Sequence, residues 1–165
     1  GFQFQDGLNE DTVSFNPSGS CQKGGIYFSR EDILAFLDYG PWIRQVTLPD
    51  DDPKFEMYED PEDSPKKWKA NKIILGPRRL ITVDVIKELI DEGIDVHVNN
   101  DYALRRASEL GYFEMVKFLV EHGADIHVYS DEALRLASER GYFEVVKFLI
   151  ENGVDIHAGE DSALW

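Results

Sequence analysis

The sequence predicts an α+β protein, in which a small N-terminal α+β domain (residues 1–80) packs on a short stack of α-helical repeats (residues 81–165). Two observations predict this class. The segment from Asp101 to His127 recurs, 30 residues later and without a gap, as the segment from Asp131 to His157. Residues 1–80 contain no repeat and are richer in glycine, proline and aromatic residues. A segment that recurs at a fixed spacing indicates structural units that bury their apolar faces against neighbouring copies.

The repeat extends beyond these two copies in both directions. Val85–His97 matches the second half of a copy, and Asp161–Trp165 matches the first five residues of one. Because a terminal repeat needs a polar outer face, we expect the natural protein to continue with further repeats. The predicted units are a half repeat at 81–100, full repeats at 101–130 and 131–160, and a stub at 161–165.

Each full copy is predicted to begin with a short helix, which runs from Asp101 to Leu110 in the first copy. Asp101 is a candidate N-cap, because an aspartate side chain can accept a hydrogen bond from the first helical turn. Gly111 is the expected stop, since glycine readily adopts the left-handed conformation found at helix ends. One face of this helix carries apolar residues at helical spacing, namely Ala103, Leu104 and Ala107.

A second helix, from Tyr112 to His122, is predicted to follow and to end at Gly123. The four residues Ala124–His127 are expected to be extended, with Ile126 pointing inward. The broad apolar face of the second helix consists of Phe113, Val116, Leu119 and Val120.

The first 80 residues are predicted to form a sheet of two to four strands and one helix. Three segments rich in β-branched and aromatic residues, bounded by glycine or proline, are the candidate strands: Gly24–Ser29, Trp42–Pro49 and Lys69–Gly76. Ser29, followed by acidic residues, is a typical helix start, so a helix is expected from Ser29 to Asp38. The boundary to the repeats is placed at Gly76–Thr82.

The composition narrows the function classes. The net charge is −15, and residues 81–165 alone carry 18 acidic and 7 basic side chains. An acidic surface repels phosphate, so nucleic acid is an unfavourable partner. Cys21 is the single cysteine, which fits a reducing, intracellular compartment. No apolar run reaches the roughly 18–20 residues that span a bilayer, so no membrane association is expected.

The repeat resembles a known family. GYFEVVKFLIENGVDIH, from Gly141 to His157, resembles the second half of an ankyrin repeat, and ALRLASERG, from Ala133 to Gly141, resembles its first half. The period here is 30 residues, whereas ankyrin repeats usually have 33. The missing residues belong to the projecting hairpin of the family, so the resemblance implies short, blunt turns. The 30-residue period and the segments GGIYFSREDI and DYGPWIRQV are similar to ankyrin-repeat proteins of mimivirus-type giant viruses.

The resemblance implies a scaffold that binds a host or viral protein, without enzymatic activity or a cofactor, inside the cell and in the host cytoplasm. Ankyrin stacks use their turns and the outward side of the first helices, which line a concave face. The two copies differ at such positions, as with Tyr102 against Glu132 and Arg106 against Leu136, while their core residues barely differ. The predicted partner-binding residues are Tyr102, Arg105, Arg106, Tyr129, Glu132 and Arg135.

Other candidate sites are weaker. The histidines His97, His127 and His157 recur at the repeat period, but packed helices hold equivalent residues roughly 10 Å apart. One zinc ion needs all its nitrogen ligands at about 2 Å, so these histidines are interpreted as turn-bracing residues that bond the neighbouring backbone. Lys66–Lys69 is a basic and aromatic cluster that is interpreted as a half-buried strand entry. No metal site and no catalytic set is predicted.

Three alternatives remain open. Residues 1–80 could hold an enzymatic pocket, faintly similar to ADP-ribosyltransferases, with the repeats recruiting the substrate. The chain could instead be a ubiquitin-ligase adaptor, although Leu48-Pro49 does not fit the helical motif of such adaptors. Self-association through the apolar C-terminal end of the stack is the third.

Overall fold

The computed structural model describes residues 3–17, 23–59 and 65–154 of the chain. Residue contacts divide the chain into two compact units. Among the residues that the structure describes, the first unit contains eight short β-strands and the second contains five α-helices. The first unit comprises Gly1–Ile33 and Asp38–Ile81, and the second comprises Leu34–Leu37 and Thr82–Trp165. That residues 1–80 form a domain of their own stays a prediction.

The described strands of the first unit are all antiparallel to their neighbours and form three small sheets, ordered β1-β7-β4, β2-β6-β5 and β3-β8. A buried apolar core joins two of these sheets through Ile26 and Ala70 of β2 and β6 and Ile73 and Leu75 of β7. The strands are β1 Gly7–Glu10, β2 Ile26–Phe28, β3 Trp42–Ile43, β4 Val46–Thr47, β5 Met57–Glu59, β6 Trp68–Ala70, β7 Lys72–Leu75 and β8 Arg79–Leu80.

The expected sheet of two to four strands is therefore wrong in its layout. Each of the two longer predicted strands is divided in two, and the halves belong to different sheets. At the break between β6 and β7, the hydrogen bonds of Asn71 explain why the strand is interrupted. Its backbone N–H and side-chain amide donate to the carbonyls of Glu56 and Lys54, and its side-chain oxygen accepts the Glu56 N–H. Asn71 thus binds a loop and ends the strand ladder between β6 and β7.

The helix expected from Ser29 to Asp38 is also different. The structure has a 3-10 helix at Ile33–Tyr39, preceded by Asp32, whose side chain makes no capping hydrogen bond. The Asp32 carboxylate instead accepts the backbone N–H of Lys66 at 2.7 Å, and the Ser29 hydroxyl donates to the Lys66 carbonyl at 3.2 Å. Both residues that would start an α-helix are therefore committed to another segment of the chain.

The second unit contains helices in two layers. First helices α2 and α4 pack on each other, and second helices α1, α3 and α5 form the other layer, with α3 contacting both α1 and α5. The α1 helix begins at Thr82, whose hydroxyl accepts the N–H of Val85. The helices are α1 Val83–Asp91, α2 Val98–Leu110, α3 Phe113–Glu121, α4 Val128–Arg140 and α5 Phe143–Glu151.

A few specific contacts fix the position of each repeat against the next. The rings of Phe113 and Phe148 meet edge to face, with centroids 5.8 Å apart. Gly111 ends α2 in the left-handed conformation, with φ of 70°, as its sequence position predicts. A Cβ at Gly111 would lie 2.5 Å from the ring of Tyr142, so this position needs glycine for packing as well as for backbone conformation.

Candidate functional site

The turns that enter α2 and α4 have an unusual backbone. Within α2, residues Asn99–Asp101 have φ values of 53°, 54° and 52°, and within α4, residues Tyr129–Asp131 have φ values of 51°, 55° and 62°. Each turn is therefore a short left-handed stretch, and the right-handed helix of α2 starts only at Tyr102. Left-handed conformation costs about 1–2 kcal/mol for each residue other than glycine, so tertiary contacts must compensate for it.

Asp101 supplies one such contact. Asp101 is buried, with 3% of the residue exposed. Its Oδ1 atom lies 3.0 Å from His97 Nδ1 and 3.0 Å from the backbone nitrogen of Asp125, in the following turn. The second turn repeats the first part of this arrangement, with His127 Nδ1 2.8 Å from the buried Asp131 Oδ1. The carboxylate thus holds one turn closed and joins it to the next.

These contacts correct two expectations. Asp101 is not the N-cap of its helix, because its carboxylate binds His97 and the Asp125 N–H instead of the first helical turn. The histidines do brace the turns, but the described bond to the neighbouring backbone comes from Asp101 and not from the His97 ring. His157 and Asp155 lie outside the described residues.

The segment Ala124–His127 is a turn and not an extended strand. The Asp125 carboxylate accepts the N–H of His127, two residues on, at 2.8 Å. Asp95 does the same for His97 at 2.9 Å. This short local hydrogen bond closes the turn tightly. Ala124 is consequently the buried residue of the segment, while Ile126, which was expected to point inward, is only half-buried.

Arg105 completes the first left-handed turn. Its Nη2 and Nε atoms donate to the carbonyls of Asn99 and Asn100, both at 3.0 Å, and its Nη1 donates to Glu132 Oε2 at 2.8 Å. Its guanidinium carbon lies 5.4 Å from the ring centroid of Tyr102 and 5.0 Å from that of Tyr129. A planar guanidinium suits this combination of forked donation and aromatic contact, which lysine cannot reproduce.

Tyr129 is the exposed member of this group. Its side chain is 61% exposed, and its hydroxyl accepts a hydrogen bond from Asn100 Nδ2 at 2.9 Å. A large side chain that is both exposed and fixed loses little conformational freedom when a partner binds. These contacts join five residues into one turn cluster, which consists of Asn100, Tyr102, Arg105, Tyr129 and Glu132.

Four of the six predicted binding residues thus meet in the turn cluster, and the other two lie along the first helices. Arg135 Nη2 donates to Glu132 and its Nη1 to Glu139, at 3.0 and 2.7 Å. Arg106 Nη1 donates to Glu109 at 2.7 Å. All four arginine and glutamate positions of the prediction are half-buried and ion-paired within the fold.

Sequence reasoning missed two members of these networks. Asn100 lies just before the predicted helix and was not among the predicted binding residues. Glu109 accepts Arg106 on its own helix and Arg140 of the next repeat, at 2.7 and 2.9 Å. These two arginines, Arg106 first, hold the pKa of Glu109 below its ordinary value of 4.5. The signal for Glu109 was present, because an arginine three residues earlier can reach it on a helix.

The lysines and acidic residues among the weaker candidates are part of the folded first unit. Lys69 is buried in β6, and Asp52 of the acidic loop binds Lys72 Nζ at 2.8 Å. Among the described residues, no group of three or more His, Cys, Asp or Glu side chains is arranged to hold a metal ion. Cys21 lies outside the described residues, as does most of the acidic stretch Glu59–Asp63. None of the described helices is both long and apolar enough to cross a bilayer.

Paired helices in two layers, joined by tight turns and repeated at one spacing, define a helical repeat protein. Residues 81–159 match the family model of ankyrin repeats, in three copies. The chain is also 46% identical over 114 residues to a protein of Acanthamoeba polyphaga mimivirus that is named as an ankyrin repeat protein. The chain belongs to the ankyrin-repeat family.

Further relatives come from the same virus. Another protein named for ankyrin repeats is 38% identical over 119 residues, and an uncharacterized protein is 38% identical over the same length. The matches cover 67%, 70% and 70% of this chain. They cover 37%, 57% and 84% of the three relatives, so the chain spans only part of the length of the first two.

Proposed function

We propose that the turn cluster and the adjoining surface of α2 and α4 bind a partner protein of the host or the virus. Ankyrin repeats imply a protein-interaction module, and the family is generally non-enzymatic. Recognition then rests on shape and side-chain complementarity, with no covalent step. The site of action that fits this proposal is inside the infected cell, in the host cytoplasm.

The observation that supports this proposal most directly is that Tyr129 is exposed and yet held in place by its neighbours. Tyrosine is among the residues that contribute most to protein interfaces, especially when it is held in place before binding. Asn100 and Arg105 hold this ring, and yet most of it stays exposed. The arginines among the predicted binding residues have a different role. Because Arg105 and Arg135 are bound to carboxylates within the fold, we propose that they support the surface, while Tyr129 supplies the main contact.

Affinity capture with a matched pair of variants tests this proposal. Tyr129→Ala removes the proposed contact, and Tyr112→Ala removes a tyrosine that is 59% exposed but lies at the opposite end of the helices, between α2 and α3. Both variants and the wild type are immobilised, exposed to Acanthamoeba lysate and analysed by quantitative mass spectrometry. We expect a protein that the wild type and Tyr112→Ala retain and Tyr129→Ala loses. Equal loss in both variants would contradict the proposal.

Self-association is a second candidate contact, supported by α5. Phe113 of the preceding repeat is partly covered by Phe148, whereas the equivalent Phe143 is 74% exposed. An exposed phenylalanine at a position built for packing favours contact with another apolar surface. Light scattering over a range of concentrations should show association in the wild type and less in Phe143→Ser. A wild type that stays monomeric at all concentrations would exclude this contact.

The adaptor and enzyme alternatives lack such support. Leu48 and Pro49 follow β4 in an irregular segment, whereas the adaptor motif requires them in a helix.

A further inference from the structure

The two left-handed turns have nearly the same backbone but different side-chain contacts. In the first turn, Arg105 donates from Nε to the carbonyl of Asn100 and from Nη2 to that of Asn99, both at 3.0 Å. In the second turn, the equivalent carbonyls belong to Ser130 and Tyr129. None of the side chains that the structure describes donates a hydrogen bond to either of these two carbonyls. The second turn therefore offers two acceptors in the place where the first turn holds a guanidinium.

Arg135 is the residue that would be expected to bind the second turn, because it stands 30 residues after Arg105. Its guanidinium instead donates to Glu132 at 3.0 Å and to Glu139 at 2.7 Å. The Arg135 side chain is 34% exposed, whereas that of Arg105 is 15% exposed. Arg135 therefore binds along its own helix and not to its own turn.

One difference between the copies accounts for this change. In the first copy, Glu109 accepts a hydrogen bond at 2.7 Å from Arg106, three residues before it on the same helix. In the second copy, the residue equivalent to Arg106 is Leu136. Glu139 therefore has no arginine at this spacing, and it binds Arg135, four residues before it, instead.

A second difference acts in the same direction. In the first turn, Arg105 also donates to Glu132, 27 residues further along the chain, at 2.8 Å. The residue 27 positions after Arg135 is Ser162, which carries no charge. No carboxylate at that position of the sequence attracts the guanidinium of Arg135 towards its own turn.

We propose that the second turn binds an arginine side chain of the partner protein. The carbonyls of Tyr129 and Ser130 accept two of its N–H groups, as the equivalent carbonyls of the first turn accept those of Arg105. A guanidinium carries five donors in a fixed plane, so it can bind two adjacent carbonyls and still reach a carboxylate. This proposal rests on the function proposed above, because it names the kind of residue that the partner brings to the turn cluster.

The charge of the surroundings favours a cationic occupant. Residues 81–165 carry 18 acidic and 7 basic side chains, and such a surface attracts a positively charged partner. Glu132 also takes the position that Tyr102 has in the first copy, where the Tyr102 ring lies 5.4 Å from the guanidinium carbon of Arg105. Carbonyls and carboxylates accept hydrogen bonds and donate none, so this combination suits a cation and repels an anion.

Titration with short peptides, followed by the backbone amide signals in NMR spectra, tests this site. The probe is a blocked peptide with one arginine between glycine residues. One matched peptide has lysine instead, and another has citrulline, which resembles arginine but carries no charge. We expect saturable shifts at Tyr129–Glu132 with the arginine peptide, and affinities at least about tenfold lower for the other two. The signals of Asn99–Asp101 should shift little, because Arg105 already binds that turn.

Two variants that add an arginine make the test specific. Leu136→Arg recreates the first copy, so that the new side chain can bind Glu139 and release Arg135 to its own turn. The arginine peptide should then bind at least about fivefold more weakly. Glu114→Arg is the control for added charge, because Glu114 is exposed on α3. In about 0.15 M salt, which screens distant charges, it should change the affinity by less than about twofold.

A third variant tests the equivalence of the two turns. Arg105→Ala frees the carbonyls of the first turn, so the arginine peptide should now also shift the signals of Asn99–Asp101. A folded Arg105→Ala protein without these new shifts would count against the proposal.

Three further results would overturn it. These are the absence of binding at the second turn, equal binding of the arginine and lysine peptides there, and equal effects of Leu136→Arg and Glu114→Arg. The capture experiment with Tyr129→Ala reports on the proposed function separately, since it does not require the partner to present an arginine.

Discussion

The Oδ1 atom of Asp101 lies 3.0 Å from the backbone nitrogen of Asp125, 24 residues further along the chain. This contact, together with the Asn100–Tyr129 hydrogen bond, joins two successive turns of the repeat stack. Because the period is 30 residues instead of about 33, no projecting hairpin is available to make such contacts. A left-handed stretch replaces the hairpin, and a buried aspartate holds it.

Removal of this carboxylate should destabilise the stack. Asp101→Ala leaves the Asp125 N–H and the His97 ring without their acceptor, and we expect a loss of about 2 kcal/mol in the free energy of unfolding. Asp101→Asn keeps one side-chain oxygen and tolerates the left-handed backbone, so it should lose clearly less. Urea unfolding monitored by circular dichroism measures both. The same loss in both variants would show that the acceptor oxygen is not the stabilising feature.

The second left-handed turn should be improvable by a residue from the first. Asn100 and Ser130 occupy equivalent positions with φ values of 54° and 55°. Asparagine adopts this conformation more readily than serine, so Ser130→Asn should raise the free energy of unfolding by about 0.5 kcal/mol. Ser130→Val, with a β-branched side chain, should lower it by about 1 kcal/mol or more. Thermal unfolding ranks the wild type and the two variants by stability. A Ser130→Val protein that is as stable as the wild type, or more stable, would argue against a left-handed turn.

Two buried lysines in the first unit should respond in opposite ways. Lys69 is 1% exposed, and its Nζ has no hydrogen-bond partner among the described residues, only the Tyr27 ring at 5.2 Å. Lys72 Nζ binds Asp52 at 2.8 Å and lies 3.7 Å from Glu10. Lys69→Met removes a buried polar group that has no hydrogen-bond partner, and it should stabilise by about 1 kcal/mol after loss of the ring contact.

Lys72→Met is the comparison, and it should destabilise, because Asp52 and Glu10 lose the ammonium group that pairs them. Denaturant unfolding of both variants checks the contrast. A destabilised Lys69→Met protein would refute the interpretation of Lys69 as uncompensated.

Acid should weaken the contact between repeats at Glu109. Hydrogen bonds from Arg106, and then from Arg140, hold the pKa of Glu109 below its ordinary value of 4.5. A carboxyl whose pKa is lower in the folded state stabilises the fold above its unfolded pKa, and this stabilisation is lost as the pH falls through the folded pKa. Stability should therefore decline below a pH of about 4.5, and part of that decline should vanish in Glu109→Gln.

The control for this measurement is Glu114→Gln, since Glu114 is exposed on α3 and has no ion pair among the described residues. Urea midpoints across the acidic range give the slope for each protein. If the urea midpoint of Glu109→Gln depended on pH as steeply as that of the wild type, Glu109 would not contribute to the loss of stability in acid. Asp52 should add its own share of the decline, because Lys72 and then the Lys54 backbone N–H lower its pKa from the ordinary 3.8.

The repeat stack was predictable because its signals are local and periodic. Ala103, Leu104 and Ala107 are buried as their helical spacing predicts, and Gly111 ends its helix as expected. The left-handed turns were not predictable in this way. Nothing in the residue types Tyr129 and Ser130 favours positive φ, so the conformation depends on contacts made after folding.

The site was predictable only in part, for the same reason. Tyr102 and Tyr129 were both predicted to be partner-binding residues, and the structure brings both to Arg105. The sequence does not reveal that Arg105 binds the carbonyls of Asn99 and Asn100, because backbone acceptors carry no sequence signal. In the first unit, Asn71 ends a strand through loop contacts that are equally invisible to periodicity.

The most direct test of the proposed recognition surface is site-specific photo-crosslinking in Acanthamoeba lysate. A benzophenone side chain is placed at position 129 in one protein and at position 112 in another, since Tyr129 and Tyr112 are similarly exposed at opposite ends of the helices. We expect a protein that is crosslinked from position 129 and not from position 112. The same product from both positions, or a product from position 112 alone, would contradict it.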